Sequence, residues 1–152
     1  MPTNRRSNGL DAANSKLLSE LQADARLSNA ELGRRVGLSA PSVAERIARL
    51  EEAGAIRGYH AEIDPAALGY SLDVVLRIRP APRELKKVAE LAQRTPEVVE
   101  CHRITGDDCY LMRGVVRDVA HLEELIDRFA GYGQTTTSIV QSSPVPRRAI
   151  AF

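Results

Sequence analysis

The sequence predicts an α+β chain with an N-terminal helix-turn-helix domain, winged-helix-like, and a C-terminal ferredoxin-like βαββαβ domain. Two observations lead to this prediction. Short apolar repeats at helical spacing, flanked by capping residues, occupy residues 10–54. From residue 70 onward, alternating and β-branched segments are interleaved with two amphipathic helical patterns. The resulting strand-helix-strand-strand-helix-strand order is that of the split βαβ fold.

Changes of pattern divide the chain into five parts. These are a flexible N-terminal arm (1–9), the helix-turn-helix domain (10–54), a wing and hinge linker (55–69), the ferredoxin-like domain (70–143) and a C-terminal tail (144–152). The arm is polar and is expected to be mobile. Asp11 or Asn14 is expected to cap a first helix that ends near Asp24.

Two further helices follow from capping signals. Ser28 with Glu31 forms a capping box at the start of one helix, and Gly37 suits its end. Ser39 can cap the next helix, in whose first turn Pro41 is tolerated because the missing N–H has no helical partner there. This third helix is predicted to end at Gly54, which completes a minimal three-helix bundle.

The third helix has the features of a DNA recognition helix. Val43, Ile47 and Leu50 form its apolar stripe. Small residues on the other side permit close approach to a major groove, while hydroxyls and arginines reach phosphates or base edges. We predict DNA contacts from Ser39, Pro41, Ser42, Glu45, Arg46 and Arg49. The alternative is a solvated face on which Arg46 or Arg49 pairs with Glu45 or Glu52.

Composition limits the other functions. The net charge is +1, so any attraction to DNA must be local. We expect a cytoplasmic protein without a membrane partner, because the chain lacks an apolar run of about 18 residues and a signal peptide. Cys101 and Cys109 are too few for a disulfide framework, and no metal or other cofactor is predicted.

Enzymatic function is not expected. GxSxG, P-loop, HExxH and Gly-rich dinucleotide motifs are absent from the sequence. Cys101 and His102 are neighbours in a predicted strand, which directs their side chains to opposite faces and makes them a poor nucleophile-base pair.

The second half of the chain is predicted to form one sheet with two helices on one face. Strands are expected over 72–78, 98–105, 110–116 and 135–140, and a first helix over 85–92. Asp118 should cap the second helix, whose inner side is expected to carry Val119, Leu122, Ile126 and Phe129. Gly114 within the third strand could mark a β-bulge or leave space for a ligand.

The mixed second face of the sheet favours pairing with a second copy of the chain. We predict a dimer interface that includes Leu72, Val74, Val75 and Leu76. The alternative is that packing within one protomer uses some of these side chains.

Four groups of residues resemble the Lrp/AsnC (feast/famine) family of transcription regulators over nearly the whole chain. They are Leu10-Asp11 with Lys16-Leu17-Leu18 and Leu21-Gln22; Leu38-Ser39, Val43, Arg46, Arg49-Leu50-Glu51 and Gly54; Ile56 to Ala61, Asp64-Pro65 and Leu68-Gly69; and Pro96-Glu97-Val98, Cys101 and Thr105-Gly106-Asp107. The resemblance implies a DNA-binding regulator that forms homodimers, often tetramers or octamers. It also implies amino acids or related metabolites as effectors, bound between dimers.

The resemblance also directs attention to an effector site. A glycine turn and nearby hydroxyls can hold an α-carboxylate, and an acid can hold an α-ammonium group. We predict effector contacts from His102, Thr105, Gly106, Asp107, Asp108, Thr135, Thr136, Thr137 and Ser138. Cys109 stands where the family usually has a second acid, which leaves the identity of the effector open. The alternative is a plain hairpin turn and a β-rich edge strand.

Taken together, these features favour a sequence-specific DNA-binding regulator controlled by a small metabolite. An architectural protein that coats DNA with little sequence preference is the alternative. A small enzyme on a ferredoxin-like domain is less consistent with the motifs.

Overall fold

The computed structural model describes residues 10–152, so the predicted N-terminal arm lies outside the described residues. The chain divides into two compact units. One contains the residues up to Ala61 together with Val145–Phe152, and the other is Glu62–Pro144. We call them the helical unit and the sheet unit.

The helical unit contains the three predicted helices: α1 (Ala12–Ala23), α2 (Asn29–Val36) and α3 (Ala40–Glu52). Each begins at a side-chain cap. Asp11 accepts a hydrogen bond from the Asn14 amide (2.7 Å), and Ser28 accepts one from the Glu31 amide (3.2 Å). Ser39 does the same for α3. These bonds satisfy backbone donors that have no partner inside the helix.

The core of the helical unit consists of one fully buried residue from each helix: Leu17, Leu32 and Val43. The turn between α2 and α3 is tight, because a Cβ built on Gly33 would collide with the carbonyl oxygen of Leu38. Gly33 therefore permits the close approach that brings α3 against α2.

The predicted wing is not formed. Between α3 and the first strand, the described chain contains a single regular element, a short 3-10 turn over Pro65–Leu68. Tyr59 and Ile63 of this segment are exposed. The described part of the helical unit contains no strand that could pair the backbone groups of a wing.

The sheet unit confirms the ferredoxin-like prediction. Its elements are β1 (Leu72–Pro80), α4 (Leu85–Arg94), β2 (Val98–Arg103), β3 (Tyr110–Val116), α5 (Val119–Ala130) and β4 (Gly133–Ile139). The strands pair antiparallel in the order β2-β3-β1-β4. The core lies between one sheet face and the two helices, and it includes Val74, Leu76, Ile78, Val88, Met112 and Phe129.

The inner side of α5 differs from the prediction in one respect. Asp118 caps the helix, and Leu122 and Phe129 are buried as expected. Val119, however, is 58% exposed, while Leu125 is buried. At about 100° per residue, the buried stripe is centred between Leu122 and Leu125, which places Val119 well outside it.

Gly114 packs closely in the third strand of the sheet. It pairs with Val98 at a β-bulge of β2, where the register shifts between Val98 and Glu100. A Cβ on Gly114 would lie 3.1 Å from the carbonyl oxygen of Glu97 and 3.3 Å from Cγ2 of Val74. The bulge is therefore present, on the neighbouring strand, and the alternative of open space for a ligand is wrong.

Candidate nucleic-acid interface and effector site

The outer side of α3 is exposed and contains small residues. Pro41, Ala44, Glu45, Ala48 and Arg49 are exposed, whereas Val43 and Leu50 are buried. Ser42 is half-buried. Ser39 Oγ accepts the hydrogen bond of the Ser42 amide at 3.4 Å, so its first role is to cap the helix. The small side chains allow another molecule to approach the helix backbone closely.

Arg49 lies at the edge of this outer side and forms an ion pair with Glu45, one turn earlier. Their side chains are 73% and 62% exposed. An exposed pair of this kind contributes little to stability and can be exchanged for a phosphate. The pairing expected in the alternative interpretation thus exists, and it leaves Arg49 accessible.

Arg46 is held within the helical unit. Its Nη1 donates to Asp11 Oδ2 at 2.6 Å and to Asn14 Oδ1 at 2.9 Å, and the side chain is 30% exposed. The pKa of Asp11 is lowered, first by the hydrogen bond from the Asn14 amide and then by the one from Arg46. The expectation that Arg46 pairs with Glu45 or Glu52 is therefore wrong. Its partners lie at the start of α1, far away in the sequence.

A surface groove of about 550 Å³ runs between the start of α1 and α3. Its polar lining consists of Asp11, Asn14, Ser42, Glu45, Arg46 and Arg49. Four of the six residues predicted to contact DNA therefore lie together on one side of the unit. Ser39 and Pro41 lie at the start of α3, outside the groove lining.

Arg34 and Arg35 were not included among the predicted site residues. Arg34 pairs with Glu31, and Arg35 pairs with Glu31 and, at 2.9 Å, with Glu20 of α1. The Arg35 hydrogen bond is the largest cause of the lowered pKa of Glu31. The i, i+3 and i, i+4 spacing from Glu31 was the available sequence signal for these pairs.

In the sheet unit, the acids of the turn predicted to bind the effector lie close to two arginines. Gly106 adopts a φ of 110°, in the turn between β2 and β3. Arg79 donates from Nε to the carbonyl oxygen of Asp107 at 2.8 Å, and its Nη2 lies 3.5 Å from the Asp107 carboxylate. Arg77 lies 3.5 Å from Asp108. Sequence reasoning missed both arginines, because they come from β1.

The other predicted effector residues are divided between the two faces of the sheet. Register places Thr136 and Ser138 beside Arg77 and Val75, on the open face away from the helices. His102 pairs with Leu111 on the same face. Thr135 faces the helices, because successive residues of a strand point to opposite sides. Thr137 also faces them, and its Oγ1 is buried without a hydrogen-bond partner among the described residues. The nine predicted residues therefore do not form one cluster within the chain.

The predicted dimer residues need correction. Val74 and Leu76 are buried against α4 and α5 inside a single protomer, so their assignment to a dimer interface is wrong. Leu72 is partly buried against the same core. Val75 has the opposite orientation and remains on the open face. The alternation that identified the strand also decides which side chains the helices cover.

Cys101 and His102 point away from each other, as their positions in the strand imply. Cys101 pairs with Met112 on the helix side, and His102 pairs with Leu111 on the open face. Cys101 lines a cleft of about 390 Å³ between α4 and β2. Burial raises the pKa of its thiol, which lowers the thiolate fraction. The structure therefore does not assemble these two residues as a nucleophile and base.

The sheet unit contains a buried polar cluster that the sequence analysis did not predict. Glu97 Oε1 lies 2.9 Å from His121 Nε2 and 2.8 Å from Arg128 Nη2. The Arg117 amide donates to His121 Nδ1 at 3.2 Å, which assigns the imidazole proton to Nε2. Hydrogen bonds from Arg128, and secondarily from His121, lower the pKa of Glu97 to about 2. This cluster fixes both ends of α5 to the residue preceding β2.

Residues 10–152 contain neither a membrane-spanning helix nor a cluster of potential metal ligands. No helix in this range is both long and apolar enough to span a membrane. Within the same range, no three or more His, Cys, Asp or Glu side chains are grouped so that they could bind a metal ion.

Comparison with known protein families agrees with this arrangement. Residues 10–51 match the AsnC-type helix-turn-helix domain, and residues 73–150 match the Lrp/AsnC ligand binding domain. The chain belongs to the Lrp/AsnC family. Its helical unit thus carries the DNA-binding domain of Lrp/AsnC transcriptional regulators, and its sheet unit carries their ligand-binding domain.

Individual Lrp/AsnC proteins are similar over most of their length. The HTH-type transcriptional regulator YezC of Bacillus subtilis is 40% identical over 134 residues, which cover 88% of this chain and 95% of YezC. The structure of LrpC from B. subtilis has a TM-score of 0.86 at 31% identity and covers 91% of this chain and 99% of LrpC. A feast or famine regulatory protein of M. tuberculosis, complexed with L-methionine, has a TM-score of 0.86 at 30% identity, with coverage of 93% and 98%.

Proposed function

We propose that this Lrp/AsnC regulator reads DNA with the outer side of α3. Pro41, Ser42, Glu45 and Arg49 are the contacting residues, since they are exposed or line the groove beside α1. Ser39 caps the helix, and Arg46 acts as a positioning residue through its bonds to Asp11 and Asn14. A helix with small exposed residues fits the major groove, where base edges specify sequence.

The proposed effector is an amino acid bound at the turn between β2 and β3. Asp107 and Arg79 present opposite charges close together there, beside the backbone of Gly106. An α-ammonium group can take the place of Arg79 at Asp107, while the α-carboxylate binds the released guanidinium. The methionine complex of the M. tuberculosis relative supports an amino acid as the ligand class. Because Cys109 replaces the family's second acid, Asp107 carries the ammonium contact alone.

We also propose a cytoplasmic homodimer formed through the open sheet face, with further assembly into tetramers or octamers. Val75 and Leu111, both half-buried, give this face an apolar patch among charged neighbours such as Arg113 and Asp73. Effector binding at contacts between dimers would favour one assembly and thereby change the spacing of the DNA-binding helices. Light scattering at micromolar concentration tests the dimer, and a monomer would contradict it.

The observation that carries the proposal is the accessible α3 surface in a chain with a ligand-binding sheet domain. The test is a footprint on the DNA upstream of the protein's own gene, with and without pooled amino acids. We expect protected half-sites about one helical turn apart, altered by the pool. Equal protection of all sequences would contradict sequence-specific binding and favour the architectural alternative.

A thermal-shift screen tests the effector separately. We expect one or more amino acids to raise the melting temperature of the wild-type protein and not that of Asp107→Ala. Glu123→Ala, at an exposed position on α5, is the matched control and should respond like the wild type. A complete screen without any shift would contradict the effector site.

A further inference from the structure

The tail belongs to the helical unit, although the whole sheet unit separates them in the sequence. Val145–Phe152 groups with the residues up to Ala61. Its anchor is a two-point contact with α1. Gln22 donates from Nε2 to the carbonyl oxygen of Ile150 at 3.2 Å, and the Ile150 amide donates to Gln22 Oε1 at 2.8 Å. A side-chain amide that satisfies both backbone groups of one residue holds that residue at a fixed position.

The tail changes the charge of the unit that binds DNA. Residues 10–61 contain seven Lys or Arg and seven Asp or Glu, so their formal charge is zero. Residues 145–152 add Arg147 and Arg148 and no acid, which brings these described parts of the helical unit to +2. Since phosphate contacts supply much of the affinity for DNA, these two arginines add to the attraction between this unit and DNA.

The arginines of α2 and α3 are already paired. Arg34, Arg35, Arg46 and Arg49 all contact acids of the helical unit. The tail arginines, in contrast, are exposed and make no ion pair with any described residue. They can therefore bind phosphates without first breaking an intramolecular contact.

The anchor lies near the part of the motif that meets the DNA backbone. Gln22 is in the last turn of α1, and only the residues 24–28 separate this helix from α2. In helix-turn-helix complexes, the first helix of the motif crosses the phosphate backbone while the second enters the groove. The tail is thus fixed beside the connection that leads into the backbone-crossing helix.

We propose that the tail is a second DNA contact, in which Gln22 anchors Ile150 and thereby holds Arg147 and Arg148 against backbone phosphates. This proposal rests on DNA binding by the helical unit and adds a non-helical contact to the one made by α3. Phosphate contacts carry no sequence information, so the tail increases affinity for all sites equally.

The experiment measures affinity for a specific and a non-specific duplex between 50 and 200 mM salt. We expect Arg147→Gln with Arg148→Gln to reduce the slope of log K against log salt by about 0.9 per lost contact. Between 50 and 200 mM salt, the affinity of a variant that lacks both contacts should therefore fall by a factor roughly tenfold smaller than that of the wild type. The ratio of specific to non-specific affinity should stay unchanged. Gln22→Leu keeps both charges and is expected to weaken binding to both duplexes, because the tail is released.

The matched control is Lys86→Gln with Arg117→Gln, which removes two exposed charges from the sheet unit. An equal loss of slope in this control would overturn the proposal, because overall charge would then explain the effect. A wild-type slope in the variant that lacks Arg147 and Arg148 would overturn it too. That result would not contradict the proposed DNA contact of α3. Light scattering in the same buffer should show an unchanged assembly. A changed assembly would overturn the proposal by assigning the tail to subunit contacts.

Discussion

Arg46 of α3 and Asp11, the cap of α1, are joined by a 2.6 Å hydrogen bond across 35 residues of sequence. A second bond from the same nitrogen to Asn14 holds the guanidinium between the cap and the first turn of α1. The orientation of the recognition helix against α1 therefore depends on a side chain whose position on α3 first indicated a DNA contact.

We expect Arg46→Ala to destabilise the helical unit because α3 loses its connection to the start of α1. The thermal midpoint followed by helical circular dichroism should fall by roughly 4 °C or more for a unit of this size. Arg49→Ala is the matched control, since its ion pair is exposed, and should leave the midpoint unchanged. Lost DNA affinity with an unaltered midpoint in Arg46→Ala would instead identify Arg46 as a direct contact.

Arg49→Ala should weaken binding to every DNA sequence. Removing one phosphate contact reduces the slope of log K against log salt by about one. The measurement is a salt titration with specific and non-specific duplexes, and Arg49→Lys should retain most of the slope because the charge remains. Wild-type affinity and slope in Arg49→Ala would exclude this residue from the interface.

Glu97 should make stability depend on pH in the acid range. Its folded pKa of about 2 lies below the ordinary value of 4.5. The stabilisation is therefore complete above pH 4.5 and is lost as pH falls towards 2; it amounts to about 3 kcal/mol. Denaturant unfolding of Glu97→Gln should show lower stability at pH 7 and a flatter dependence below pH 4.5. Glu123→Gln is the exposed control, and the same acid profile in wild type and Glu97→Gln would disprove the assignment.

Gly114→Ala should destabilise the sheet unit by about 1–3 kcal/mol, because the new methyl group would press on the carbonyl oxygen of Glu97 and on Val74. Gly131→Ala is the control, because it adds the same methyl group at a position where the methyl group has room. A Cβ there meets no heavy atom of the described chain within 4 Å, and φ is −67°. Its stability in denaturant should match or exceed that of the wild type. Equal effects at both glycines would show that packing at Gly114 is not the cause.

Interactions between close neighbours in the sequence were predictable from the sequence alone. Ser28, Ser39 and Asp118 cap their helices through amides three residues later, a spacing that helix geometry fixes. Alternation over 72–78 identified β1 for the same reason, since side chains on a strand change face at every residue. The order of such elements was sufficient to predict both domains.

Tertiary structure alone decided which residues meet across the chain. Arg46 binds Asp11 and Asn14, Glu97 binds His121 and Arg128, and Gln22 binds the backbone of Ile150. It also decided that Val74 and Leu76 belong to the core of one protomer. Local spacing specifies how a segment folds, but the partner of a side chain depends on how separate segments pack. The sequence therefore determined the two domains and their helices and strands, and tertiary packing determined the roles of individual charged and apolar residues.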